Sequence, residues 1–171
     1  MDAFEQAVAD ELTRKGWAVF VPHKDQGVDL VALPSLEQTS AVRLQVKGSR
    51  TYGPRFQGWY KFRWDKVEHA MDITDFWVFV CFVTSPKGRF HPQFAVVPSS
   101  ELKRRLEADK GDPVHFYLTE HWLDGERHLV NDRKLPRKKL SRGEISVAPA
   151  LDFSEFWSGH GEDVWRKLHE T

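Results

Sequence analysis

Apolar residues recur at helical spacing at the start of the chain. Phe4, Ala7, Val8 and Leu12 share one face, and Lys15-Gly16 makes a natural stop. This spacing predicts a helix over residues 2–15, then a short apolar strand from Trp17 to Val21 ended by Pro22. His23-Lys24-Asp25-Gln26-Gly27 reads as a turn. Two strands follow, Gly27–Leu33 and Val42–Ser49, joined by a polar connection from Pro34 to Ser40. Strand residues alternate faces, so Val42, Leu44 and Val46 point one way and Arg43, Gln45 and Lys47 the other.

From Gly48 to Arg63 the chain is rich in Gly, Arg and aromatic residues without a clean period, and it reads as a long loop. Trp64 to Met71 reads as a short helix. Phe76 to Val83 is almost wholly apolar, as expected of a strand buried on both faces. Ser85-Pro86-Lys87-Gly88 signals a turn, and Phe90 to Val97 a further strand. Ser99 or Ser100 caps a helix through about Ala108, with Glu101 in its first turn. His115 to Val130 is expected as a hairpin around Asp124-Gly125. A helical piece broken by Gly159 and Gly161 closes the chain from Asp152 to His169.

The length, 171 residues, fits one domain able to bury a core. The formal net charge is zero, so any contact with nucleic acid must come from local patches. Two such patches exist. Arg43, Lys47, Arg50, Arg55, Lys61, Arg63 and Lys66 stand against Asp65 alone, and Arg133 to Lys139 is a second basic run. Cys81 is the single cysteine, which excludes an internal disulfide and fits a reducing compartment. With no apolar signal region and no segment of membrane-spanning length, the expectation is a cytoplasmic protein without membrane contact.

In a hairpin the start of one strand lies beside the end of the other, so Asp29 is expected close to Gln45 and Lys47. An acid, an amide oxygen and an ammonium at one sheet corner suit a divalent metal and a phosphate. Antiparallel packing of the first helix and strand brings Glu5 to the same end of the layer. Glu11 shares the apolar stripe but lies about 9 Å further along the axis. Each residue alone has a plainer reading: a turn-proximal acid for Asp29, an edge-strand lysine for Lys47, an exposed amide for Gln45 and a helix-dipole acid for Glu5.

Taken together, Glu5, Gly16-Trp17, Gly27-Val28-Asp29 and Gln45-Val46-Lys47 resemble the PD-(D/E)xK nuclease superfamily. In layout they are most similar to Holliday junction resolvases and small restriction or homing endonucleases. The resemblance covers roughly residues 1–108. It implies an α/β, restriction endonuclease-like core: a central mixed sheet flanked by helices, in the order αβββ-loop-ββα, with residues 109–171 as an addition to a single domain. It also implies metal-assisted hydrolysis of a phosphodiester in DNA. Asp29 would be the main ligand of Mg²⁺, with Mn²⁺ as a possible substitute. Glu5, the Gln45 amide oxygen and the Val46 carbonyl would assist, and Lys47 would orient water or stabilise charge on phosphorus. The departure is Gln45, where the family more often has a carboxylate. Cutting two strands implies a homodimer.

Arg50, Tyr52, Arg55, Lys61 and Arg63 interleave with aromatic residues, a mixture suited to phosphate contact and base stacking. At least two of Trp59, Phe62 and Trp64 are expected to be core anchors instead. Arg137, Lys138 and Lys139 either grip phosphates as well or belong to a solvated loop. His115, His121 and His128 lack zinc-ligand spacing, and no Gly-rich phosphate loop or Gly-x-Ser-x-Gly elbow is present. The rival expectation is a catalytically inactive nucleic-acid-binding module on the same scaffold. A protein-interaction domain is the third.

Overall fold

The computed structural model describes residues 1–24, 26–35, 40–107, 111 and 113–170, without the side chains of Thr51 and Tyr52. Asp25 of the expected turn, residues 36–39 of the expected connection and Ala108 of the expected helix end lie outside the described residues. The chain begins with α1 (Ala3–Arg14), β1 (Ala18–Phe20), β2 (Leu30–Leu33), β3 (Val42–Gly53), β4 (Gln57–Phe62) and α2 (Trp64–Ile73). It continues with β5 (Phe76–Thr84), β6 (Phe90–Pro98), α3 (Ser99–Leu106), β7 (Val114–Leu123), β8 (Glu126–Asn131) and α4 (Arg137–Ser141).

The result is the expected mixed α/β architecture. A central sheet runs in the order β1-β2-β3-β5-β6, antiparallel throughout except for the parallel β3–β5 pair. Helix α1 starts at a capping box. Asp2 accepts from the Phe4 and Glu5 amides, while Glu5 accepts from the Asp2 amide. Its stripe of Val8, Ala9 and Leu12 covers one face of the sheet, over Leu44, Val46, Val78 and Val80. Phe4 lies directly on Gly48, where any Cβ would run into its ring. Helices α2 and α3 cover the other face through Val67, Met71, Leu102 and Leu106.

One expectation needs correction. The stretch from Gly48 to Arg63 is not a loop. β3 continues past Lys47, pairing with β5 through a bulge between Ser49 and Gly53. β4 then opens a second sheet, β4-β7-β8. Its alternation is present, Gly58 and Tyr60 inward against Trp59 and Lys61 outward, but its partner lies some sixty residues on, with Gln57 opposite Thr119. Gly58 hides the pattern because its missing side chain makes room for the Tyr60 ring. The expected helical piece at the close is present as 3-10 helix. It forms short 3-10 turns at Ser154–Phe156, Ser158–His160 and Val164–Glu170. Gly161 breaks it with a φ of 78°, and Phe153, Phe156 and Trp157 turn into the core between the two sheets.

The second sheet packs its inner face, Tyr60, Phe116, Leu118 and Leu129, against Trp77, Phe79 and Cys81. Tyr60 fixes the seam by donating its hydroxyl to the Val80 carbonyl at 3.1 Å, and burial holds that phenol well above its ordinary pKa. The β7–β8 hairpin turns at Asp124-Gly125 as expected, both with positive φ, as the tight primed turn requires. Among the described residues no helix is long and apolar enough to cross a membrane.

Arg105 ties α3 to the closing segment. Its guanidinium donates to Glu101 at 2.7 Å, to the Asp152 carbonyl at 2.6 Å and to Glu155 at 3.1 Å, and lies over Phe153. Removing it leaves Glu101 to Arg104 alone and frees the closing turns, so Arg105→Ala is expected to cost about 2 kcal/mol in urea unfolding. Hydrogen bonds from Arg104 and Arg105 hold the Glu101 carboxyl down to about 2. A depressed carboxyl contributes stability above its unfolded pKa and loses it as pH falls through the folded one. Denaturant midpoints are therefore expected to drop from about pH 4.3 toward 2, and less steeply in Glu101→Gln.

Candidate active site

The corner begins with a turn that only glycine serves well. Gly27 has a φ of 87°, and a Cβ there would press on Ile73 and Ala70 of α2. This turn delivers Asp29 to the head of β2, where its amide donates to the Leu44 carbonyl at 2.9 Å. Its Oδ2 accepts from the Val46 amide at 2.7 Å and from the Gln45 side-chain amide. Gln45 is buried, and a carboxylate opposite it fixes the amide with nitrogen toward Asp29. Asp29 and the strand end that carries Gln45 and Lys47 thus meet.

Gln45 and Lys47 lie on the face that carries Trp77 and Phe79, their register partners on β5. The Lys47 ammonium stands 5.8 Å from the centre of the Trp77 ring, a cation–π distance. Trp77 is buried, and its indole N–H makes no hydrogen bond among the described residues. In sequence it is indistinguishable from the other apolar residues of β5, so its place beside Lys47 carries no signal there. Ser49, one pleat further on, is also buried and accepts from the Trp59 amide at 3.1 Å, linking this corner to the second sheet.

Glu5 lies in the first turn of α1, across the sheet from the face of Gln45 and Lys47. Helix α1 starts beside the end of β3, as its contact with Gly48 requires, but it packs on the opposite face of the sheet. The Glu5 carboxylate closes the capping box with Asp2 at 2.9 Å and stands 4.0 Å from the terminal amine of Met1.

Among the described residues no three His, Cys, Asp or Glu side chains converge to hold a metal ion. The acid at the corner is Asp29, beside the Gln45 side-chain amide and the Val46 main chain. Mg²⁺ takes one or two carboxylates and fills its shell from water and phosphate. The residues therefore fit such an ion held loosely, with substrate supplying part of the shell.

The expected nucleic-acid contacts divide. Arg55, Arg137 and Lys138 come together at one pocket beside the second sheet. Lys61 points outward on β4 opposite His115, and Lys139 is exposed on α4. Arg50 is exposed on β3, whereas Arg63 pairs with Asp65 at 3.1 Å at the start of α2. The Tyr52 side chain lies outside the described residues. Phe62 and Trp64 pack against the core as anchors, while Trp59 is 48% exposed. Sequence reasoning passed over His121 and Asp132, which form a buried pair at 3.0 Å, because histidine spacing was weighed only against zinc.

No family model matches the chain, and no curated protein sequence does. Solved structures similar to the chain include the following two. One is Hjc, a Holliday junction resolvase from Archaeoglobus fulgidus, 16% identical over 66% of this chain and 79% of its own, with a TM-score of 0.39. The other is the bacterial homing endonuclease I-Ssp6803I, 18% identical over 98% of this chain and 92% of its own, also with a TM-score of 0.39.

Proposed function

We propose that this chain is a metal-dependent nuclease acting on DNA, with its hydrolytic centre at Asp29, Gln45 and Lys47. The observation that supports it is the meeting of Asp29 with the Gln45-Val46-Lys47 strand end through two hydrogen bonds to one carboxylate oxygen. Asp29 would hold Mg²⁺ or Mn²⁺, with the Gln45 amide and the Val46 carbonyl as neutral neighbours. When bound, such an ion lowers the pKa of a water and offsets charge on the scissile phosphate.

The chain's own residues do the rest. The Val46 amide and the Gln45 side chain fix the Asp29 carboxylate in one orientation, so it loses little freedom on binding an ion. Lys47 presents a compact charge to the phosphoryl oxygens, where negative charge grows along the reaction. The Trp77 ring beneath it excludes water on one side and strengthens that interaction. Glu5 in this reading holds the start of α1 and is not a metal ligand. Residues 1–171 act as one unit, and cutting both strands of a duplex takes two copies about a twofold axis.

A second reading has specific support. Gln45 stands where an acid would add charge, and Glu5 is committed to its cap. Both favour a module that binds nucleic acid on this scaffold without cutting it. One assay separates the two: plasmid, branched and single-stranded DNA incubated with and without Mg²⁺ or Mn²⁺. Asp29→Ala and Lys47→Ala are each expected to slow cleavage by roughly 100-fold or more while DNA is still bound. Nicking that survives both substitutions removes the catalytic assignment, and salt-sensitive binding with no cleavage by the unaltered protein establishes the second reading.

Gln45→Glu tests the metal without relying on turnover. A second carboxylate against Asp29 repels in the absence of metal and is favoured in its presence. Its melting temperature is expected to fall below that of the original protein in chelator and to rise more on adding Mg²⁺. Equal Mg²⁺ responses in both proteins would argue against a cation at this corner.

A further inference from the structure

The outer face of the second sheet carries a built site that the hydrolytic reading does not use. At its centre Asp132, whose side chain has no exposed surface, gives one oxygen to His121 at 3.0 Å and stands 3.4 Å from Arg137 Nε. Its other oxygen, Oδ1, is buried without a hydrogen bond among the described residues, and so is the hydroxyl of Thr119. Both residues belong to the wall of a pocket of about 260 Å³ that is rimmed by Arg55, Arg137 and Lys138. Buried acceptors without donors are rare in folded proteins and costly. Three cations around one carboxylate leave an excess of positive charge at the rim. A ligand matching both features carries an anionic group and, next to it, a hydrogen-bond donor.

The flank of the pocket adds a third feature. Trp59 and Tyr117, neighbours across β4 and β7, stack at 5.6 Å with 28° between their planes. Arg137 stands 5.9 Å from the centre of the Trp59 ring as well as beside Asp132, so the aromatic pair and the pocket are contiguous. Arg133 lies over Tyr117 at 5.5 Å. With Trp59 half exposed, this is a platform on which an unpaired base can stack.

We propose that this face holds one nucleotide of a single strand, and the proposal rests on the nucleic-acid part of the function given above. The base stacks on Trp59 and the phosphate meets Arg55, Arg137 and Lys138; as the half-exposed Arg137 side chain turns from Asp132 to the phosphate, a sugar hydroxyl reaches Asp132 Oδ1 beside Thr119 and donates to it. His121 is a positioning residue, which holds the other Asp132 oxygen and so fixes the carboxylate in one orientation. A hydroxyl next to a phosphate on one sugar occurs at a free 3′ end of DNA and along ribose-containing strands.

The test is an anisotropy titration with the Asp29→Ala protein, which prevents cleavage from obscuring binding. The probes are short single-stranded DNA ending in a 3′-hydroxyl, the same strand ending in 3′-deoxy, an RNA of the same sequence ending in 3′-deoxy, and a blunt duplex. Binding of the 3′-hydroxyl DNA or of the RNA is expected to exceed that of the 3′-deoxy DNA by about tenfold. Preference for the first assigns the hydroxyl to a strand end, and preference for the RNA assigns it to ribose. Trp59→Ala is expected to weaken binding about tenfold, and Lys138→Ala to reduce the salt slope by about one. Both residues are exposed, so these variants stay informative if Asp132→Asn, expected to erase the hydroxyl preference, fails to fold. Equal binding of all three single strands, or unchanged binding by both exposed-site variants, overturns the proposal. If the unaltered protein cuts no DNA but the hydroxyl preference holds, only the nuclease reading falls; cleavage with no such preference removes only this one.

Discussion

The parallel pairing of β3 with β5 is the constraint on which the rest of the molecule depends. β5 is buried on both faces over nearly its whole length, from Phe76 to Cys81, so neither side of the central sheet can be left to solvent. Each face needs its own apolar layer. One is met by α1 and the turns around Val164, Trp165 and Leu168. The other is too wide for α2 and α3, and a second sheet with Phe153, Phe156 and Trp157 completes it. The segment after residue 108, which falls outside the resemblance read in the sequence, thereby shares the core of the segment before it.

That double coverage also sets the chemistry of the corner. Val42, Leu44 and Val46 face α1, so the polar residues of β3 turn toward the aromatic layer formed by Trp77, Phe79 and the second sheet. Gln45 is buried there, and its amide must find a partner; Asp29 is that partner. A carboxylate held by two donors and a lysine over an indole then lie on one side of the sheet. The same pleat keeps Glu5 on the other side, where the helix start uses it as a cap. With Asp29 as the carboxylate at this corner, any cation here depends on substrate oxygens for its shell.

The second sheet has an outer face as well as an inner one. Inward residues of β4 and β7 fill the core, which releases Trp59, Tyr117, Thr119 and His121 to the opposite side. α4 and the basic run before it lie against that side, with Arg133 and Arg137 over the two rings. Cations that cancel in the overall charge are thus gathered on one surface, next to a buried carboxylate that needs a donor.

What the sequence determined was local. Periodicity sufficed for α1, β2, β5, β6 and the hairpin at Asp124-Gly125, because a helical stripe, an apolar run or a Gly turn acts over a few residues. It also sufficed for the meeting of Asp29 with Gln45, since adjacent antiparallel strands leave one arrangement of their ends. Only the tertiary structure decided the rest. β4 became a strand because β7, sixty residues away, supplies its hydrogen bonds, and the closing segment became a run of tight turns because Phe153 and Trp157 had an inter-sheet space to fill. Which face Glu5 took, and that His121 met Asp132, followed from layers stacked across the sheet. Spacing along a chain fixes which residues share an end of an element, but packing between distant elements fixes which share a side.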